Sequence, residues 1–170
     1  MLRDDNPISL SKRLKELLID YIVIFVYLLV LLCVSLVTYY FLFHGVPRFN
    51  EIQSQVITFF TSVFPIILIF SYFDYFKEGS IGKLKSGLKL IYEEKSKKNA
   101  LIRNSVKFLP WQIAHMGVIH GMYTDFDPIS IGLCIFSLIL ALALCGMTFF
   151  RKDKRHIGDL LAGTQVQVNQ

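Results

Sequence analysis

The chain has 170 residues, 54% of them hydrophobic, and its mean hydropathy is +0.50. Its apolar residues are concentrated in long runs between charged blocks, which excludes an ordinary soluble domain. The net charge of +5 is spread unevenly between these blocks, so we expect it to set membrane topology rather than to bind nucleic acid. The three cysteines all lie within apolar runs, where they predict neither a disulfide framework nor a metal site.

Four segments are predicted to cross the membrane as helices. The last one, 129–150, has no charged residue and is long enough to cross a hydrocarbon core of roughly 30 Å. The predicted spans are about 17–43, 54–76, 102–122 and 129–150, with a cytoplasmic loop at 77–101 and a cytoplasmic tail at 151–170. A short strand or hairpin is predicted at 88–92 and an extended stretch at 165–168.

The third span depends on charge rather than on hydropathy. Residues 100–122 include Arg103, Lys107 and two histidines, which by themselves favour an interfacial helix. If this segment crosses the membrane, all but one of the 18 Lys and Arg residues lie on the cytoplasmic side. The sequence therefore predicts an all-α membrane protein, a four-helix transmembrane bundle with a small cytoplasmic hairpin-like insertion and with both termini cytoplasmic.

The second predicted span has a polar face. Thr58, Thr61, Ser62 and Pro65 recur at helical spacing. Pro65 has no backbone donor, so it leaves the carbonyl of Thr61 free. We expect these four residues to line a pathway if the protein conducts a solute.

Several stretches resemble the RDD family of small multi-pass membrane proteins, over nearly the whole chain. Arg13 and Asp20 match the opening Arg of the family and the Asp of its first span, and Arg103 matches an Arg of a later helix. The stretches 80–83 and 87–90 resemble the family element Thr-Pro-Gly-Lys…Gly-Leu-Arg-Val, with Ile81 in place of Pro. The stretch 156–164 resembles its closing His-Asp-Leu-Leu-Ala-Gly-Thr motif.

The resemblance implies one membrane domain over 1–170, in a bacterial cytoplasmic (inner) membrane. Transport, including cation/proton antiport, is suggested for some members of the family. Asp159 matches the closing Asp of the family. His and Asp are adjacent in the family motif, whereas Ile157 and Gly158 separate His156 from Asp159 in this chain. For this reason no role is carried over to His156.

The four matched residues, Arg13, Asp20, Arg103 and Asp159, have two possible roles. Asp20 lies within the apolar run, where an uncompensated charge costs at least about 3 kcal/mol. In the first interpretation it is a protonatable ion ligand. In the second, the four residues form a structural ion-pair cluster at the cytoplasmic side. Both interpretations remain open from the sequence.

The expected function is transport of a monovalent cation or a proton, in the lipid bilayer and as a homo-oligomer. The alternative is a non-transporting accessory or scaffold protein that binds another membrane protein or a lipid. We expect no enzymatic activity and no cofactor. We also expect no metal site, because His115 and His120 are five residues apart and do not share a helix face.

Overall fold

The computed structural model describes residues 1–169 and contains seven α-helices, one π-helical turn and two strands. The helices are α1 (Leu10–Leu42), α2 (Glu51–Thr58), α3 (Phe64–Phe76), α4 (Ile81–Lys85), α5 (Lys97–Thr124), α6 (Pro128–Phe150) and α7 (Ile157–Leu161). The strands are β1 (Leu88–Tyr92) and β2 (Thr164–Val168), and the π-helical turn (Phe59–Val63) joins α2 to α3. Residue 170, the end of the predicted tail, lies outside the described residues.

The protein is mostly helical and has the long apolar helices of a membrane protein. Among residues 1–169, three helical segments are long and apolar enough to cross a membrane, namely Leu10–Leu42, Glu51–Phe76 and Pro128–Phe150. Helix α5 has 28 residues, which is sufficient length. Its charged and polar side chains make it less apolar than the other three segments, so its crossing of the membrane stays a prediction from charge bias.

The long helices begin at polar caps, and each runs antiparallel to the long helix that precedes it in the chain. The side chains of Ser9, Asn50, Ser96 and Asp127 each accept a backbone N–H in the first turn of the helix that follows, a common way to satisfy these donors. The N-termini of α1 and α5 therefore lie at one end of the bundle, together with the C-termini of α3 and α6.

Helix α5 is the centre of the bundle and packs against both α3 and α6. The buried core contains Val63, Ile66, Phe70 and Phe108. A side chain at Gly117 would collide with the facing residues of α6, so this glycine allows close approach of the two helices. Helix α1 behaves differently, since its main contacts are with α4 and it packs very little against α6.

The two strands form an antiparallel sheet at the end of the bundle that carries both described chain ends. Leu90 pairs with Val166, and the predicted strand at 88–92 is confirmed. Its partner is the tail and not a second strand of the same connection, because α4 occupies the first half of that connection and α5 begins shortly after β1. The N-terminal segment adds Ile8 to the small core under the sheet, and Asn6 donates to the carbonyl of Val166.

Candidate functional site: a buried charge cluster beside a cavity

Eight charged side chains, four basic and four acidic, gather at the end of the bundle that carries the sheet. They are Arg13, Glu16, Asp20, Asp74, Lys83, Arg103, Lys107 and Asp159. Seven of them are buried, and Lys107 is partly exposed. Their formal charges cancel, so the group as a whole avoids the cost of a net buried charge. We call these eight residues the charged cluster.

Arg103 connects three elements within the charged cluster. Its Nη1 donates to Oδ2 of Asp74 on α3 at 2.7 Å, and its Nε donates to Oδ1 of Asp159 on α7 at 2.7 Å. Asn104 also donates to Asp74, and Thr164 also donates to Asp159. Burial raises the pKa of Asp159, but the guanidinium of Arg103 outweighs this effect and holds that pKa well below its usual range.

Asp20 fastens α1 to α4. Its Oδ1 accepts the backbone N–H of Gly82 at 2.9 Å, and its Oδ2 accepts the hydroxyl of Ser80 at 2.8 Å. A Cβ at position 82 would collide with the carboxylate of Asp20 and with the carbonyl of Glu16. The close approach of α4 to α1 therefore requires glycine. A third contact, from Nζ of Lys107 to Oδ2, is longer at 3.5 Å.

Lys83 is fully buried although it belongs to the lysine-rich connection between α3 and α5. Its Nζ lies 3.4 Å from Oε1 of Glu16, 3.5 Å from Oδ1 of Asp74 and 3.1 Å from the hydroxyl of Ser80. Glu16 also pairs with Nη1 of Arg13 at 2.9 Å. Lys83 thus joins α1, α3 and α4 from inside the charged cluster.

His156 caps α7 beside the charged cluster. Its Nδ1 accepts the backbone N–H of Gly158 at 3.0 Å, and its Nε2 lies 3.3 Å from Oδ2 of Asp159. Burial lowers the pKa of His156 to about 4, so the ring is neutral at pH 7. Ile157 and Gly158 form the first helical turn, which brings the two side chains together despite their separation in sequence.

A cavity of about 510 Å³ adjoins the charged cluster between α1, α5 and α6. Six of the eight cluster residues line it, all except Asp74 and Lys83. The remaining wall is mostly apolar and includes Leu17, Trp111 and Leu144. The volume lies within the range of about 300–1,000 Å³ that is usual for small-molecule sites.

The polar residues predicted to line a pathway lie elsewhere. Among the described residues, Thr58, Thr61, Ser62 and Pro65 are absent from the lining of the cavity. The hydroxyls of Thr61 and Ser62 donate to carbonyls one turn earlier in their own helix, at 2.7 and 2.6 Å. The carbonyl of Thr61 accepts the hydroxyl of Tyr27 on α1. A role of these residues in conduction stays a prediction.

A second polar group lies at the opposite end of the bundle. Nδ1 of His120 lies 2.7 Å from Oε1 of Glu51, and its Nε2 lies 3.5 Å from Oδ2 of Asp127. We call these three residues the far cluster. All three side chains are between 24% and 38% exposed, in contrast to the charged cluster. Within residues 1–169, no group of three or more His, Cys, Asp or Glu side chains is arranged to hold a metal ion.

All four residues singled out in the sequence belong to the charged cluster. Arg103 contacts Asp159 directly, whereas Arg13 and Asp20 contact other members. The sequence analysis missed the four remaining members, Glu16, Asp74, Lys83 and Lys107. Their positions in the sequence are a signal that could have identified them, since each lies near the end of an apolar run or inside the RDD-like element. A charged side chain that approaches the membrane at such a position needs a partner of opposite charge.

Comparison with known proteins identifies the family of the chain. The model of the RDD family matches residues 7–163, which includes every member of the charged cluster. No curated protein and no solved structure matches the chain significantly.

Proposed function

The chain belongs to the RDD family, and from this premise we propose that it is a small membrane transport protein that exchanges a monovalent cation for protons. The charged cluster is the site of exchange, and Asp20 is the group that titrates. The protein works as a homo-oligomer, because four helices alone offer little room for a sealed pathway.

One observation carries this proposal, the contact between Asp20 and Lys107. At 3.5 Å it is longer than the pairs that Arg103 makes with its carboxylates, and both of its members line the cavity. Lys107 is also the partly exposed member of the cluster. A loosely held ammonium that faces a cavity can be displaced by a small cation, whereas the shorter buried pairs remain in place.

The exchange then uses residues of this chain alone. In the starting arrangement the ammonium of Lys107 is the counterion of the Asp20 carboxylate. A monovalent cation that enters the cavity takes the place of the ammonium beside Oδ2, while Ser80 and Gly82 continue to orient the carboxylate. Protonation of Asp20 removes its charge and releases the cation, so one proton is exchanged for one cation.

The test is cation-driven proton flux in proteoliposomes with Na⁺, K⁺ or Li⁺. Asp20→Asn keeps the shape of the side chain and one acceptor for Gly82 but cannot titrate, so we expect it to abolish flux. Asp5→Asn is the matched control, because it makes the same change at an exposed carboxylate that does not line the cavity. We expect Asp5→Asn to retain flux, and folded wild-type protein without flux would refute the proposal.

We further propose that α5 crosses the membrane, which gives four spans with both termini in the cytoplasm of a bacterium. This arrangement agrees with the positive-inside rule for all but one of the 18 basic residues. Reporter fusions after residue 93 and after residue 169 test it. Both reporters should lie on the cytoplasmic side, and reporters on opposite sides would contradict a crossing by α5.

A second candidate is the non-transporting accessory or scaffold protein that binds another membrane protein. The mutual pairing of the charged cluster favours it, because every carboxylate in the cluster lies within 3.5 Å of a basic nitrogen of the cluster. Fully paired buried charges are often structural. The flux experiment separates the two candidates, since an accessory protein folds normally and moves no ions.

A further inference from the structure

The apolar wall of the cavity opens onto the surface of the bundle. Tyr21 and Phe25 on α1 line the cavity and are nevertheless 64% and 65% exposed. On the other side, Cys145 of α6 lines the cavity and is also exposed. Because α1 and α6 barely contact each other, the space between them connects the charged cluster with the lipid that surrounds the helices.

The length of the open wall fits one leaflet of a bilayer. It extends along α1 from the level of Asp20 to that of Leu28, which is about 12 Å at 1.5 Å per residue. One leaflet contributes about 15 Å of hydrocarbon. The charged cluster lies at one end of this wall, as a lipid headgroup lies at one end of its acyl chains.

The floor of the cavity has equal numbers of opposite charges but an excess of hydrogen-bond donors. Nε of Arg13 is buried and has no hydrogen-bond partner among the described residues. Lys107 has three N–H donors, and its contact with the oxygen of Asp20 is long at 3.5 Å. The carboxylate of Asp159, in contrast, accepts from Arg103 and from Thr164. Unused donors on cationic side chains favour an anionic ligand.

We propose that this cavity binds one anionic phospholipid of the surrounding bilayer. Its phosphate receives hydrogen bonds from Lys107 and lies near the positive charge of Arg13, and part of one acyl chain lies along the open wall between α1 and α6. The lipid closes the side of the bundle that α1 leaves open. The inference shares the cavity and Lys107 with the proposed ion exchange but does not rest on it, because lipid binding needs neither an ion gradient nor the titration of Asp20.

Trp111 makes the proposal measurable. It is the one tryptophan of the sequence, and it lines the cavity. A phospholipid with brominated acyl chains quenches tryptophan fluorescence on contact. In phosphatidylcholine vesicles, brominated phosphatidylglycerol should reach half-maximal quenching at a mole fraction at least about fivefold lower than brominated phosphatidylcholine, the preference expected from one basic residue near a headgroup.

Two pairs of matched variants distinguish binding of the headgroup by Lys107 from binding of the acyl chain along the open wall. Lys107→Gln should abolish the preference for phosphatidylglycerol, whereas Lys98→Gln removes an exposed lysine of the same helix and should preserve it. Ala141→Phe fills the cavity and should weaken quenching by both lipids. Ala143→Phe places the same side chain on the exposed surface of α6 and should not.

Two results would overturn the proposal. Equal quenching of the wild-type protein by the two brominated lipids would exclude recognition of an anionic headgroup, whether or not the variants fold. Loss of the preference on addition of inorganic phosphate would show that the site takes a free anion instead of a lipid. No ion gradient is present in these measurements, so a negative result for lipid binding does not bear on the ion exchange that the flux experiment tests.

Discussion

At the end of the bundle that carries the sheet, Asp74 and Lys83 are completely buried, and Arg103 is 3% exposed. At the opposite end, the far cluster of Glu51, His120 and Asp127 also joins three elements by charge, but its side chains are 24% to 38% exposed. Distances in the two groups are alike, with a shortest contact of 2.7 Å in each.

The two groups therefore differ in burial and not in distance, and burial is what determines how much an ion pair contributes to the free energy of unfolding. An exposed pair is screened by water and contributes little. Removal of one partner from a buried pair leaves an uncompensated charge, which typically costs about 3–5 kcal/mol. We therefore expect the charged cluster to determine folding, and the far cluster to be dispensable for it.

The largest expected effect is that of Arg103→Met. This change removes the guanidinium that lies 2.7 Å from the carboxylates of both Asp74 and Asp159. We expect it to lower the free energy of unfolding by about 3–5 kcal/mol. Denaturation in mixed micelles provides the measurement. Arg48→Met is the matched control on an exposed arginine between α1 and α2, and equal losses in both variants would contradict the role of burial.

The second effect is a dependence of stability on pH. The pKa of His156 is about 4 in the folded protein because burial disfavours the charged ring, against about 6.5 in the unfolded chain. The unfolded state therefore binds more protons, and stability is lost as the pH falls from about 6.5 to 4, by up to about 3 kcal/mol. Asp159, with its lowered pKa, contributes its own loss only below about pH 4.

His156→Asn isolates this contribution of the ring. An Asn at this position can still accept the N–H of Gly158 but does not titrate. Thermal unfolding at a series of pH values should show the loss between pH 6.5 and 4 in the wild type and a flatter profile in the variant. Superimposable profiles would mean that His156 titrates normally in the folded protein.

A smaller effect is expected at Gly82, where α4 meets α1. Ala at this position forces apart the contact with Asp20 and Glu16, and overpacking of this kind costs about 1–3 kcal/mol. Gly132→Ala in α6 is the control, because a side chain there meets nothing within 4 Å. Ala should stabilise that helix by up to about 1 kcal/mol. Relative to the wild type, we expect the unfolding midpoint to fall in Gly82→Ala and to rise in Gly132→Ala.

The smallest effect is expected in the far cluster. Replacement of His120 by Ala removes both of its carboxylate contacts, yet we expect no measurable change in the unfolding midpoint, because exposed pairs contribute little. A loss comparable with that of Arg103→Met would contradict the contrast between the two ends.

Much of the fold follows from the sequence, because its causes are local. The long apolar runs predict membrane-spanning helices, and the partial alternation of residues 88–92 correctly predicts β1. The four residues matched to the RDD family are members of one cluster. These features depend on periodicity or on short motifs, which a single sequence displays.

The rest depends on contacts between distant segments. The partner of β1 is β2, and nothing in either strand identifies the other. Lys83 resembles its neighbouring lysines in sequence and differs from them only because Glu16 and Asp74 are near it in space. The cavity is likewise invisible in the sequence, because it results from the weak packing of α1 against α6.

The position of β2 in the chain has a consequence for biosynthesis. Thr164 donates to Asp159, Gln165 to the carbonyl of Arg3, and Gln167 to that of Met1. The ribosome makes these residues after all the long helices, so the earlier helices emerge from the ribosome before the charged cluster has its full set of partners. Insertion and final assembly are therefore separate stages, and a nascent chain halted before β2 should remain sensitive to protease at the end that will later be sealed.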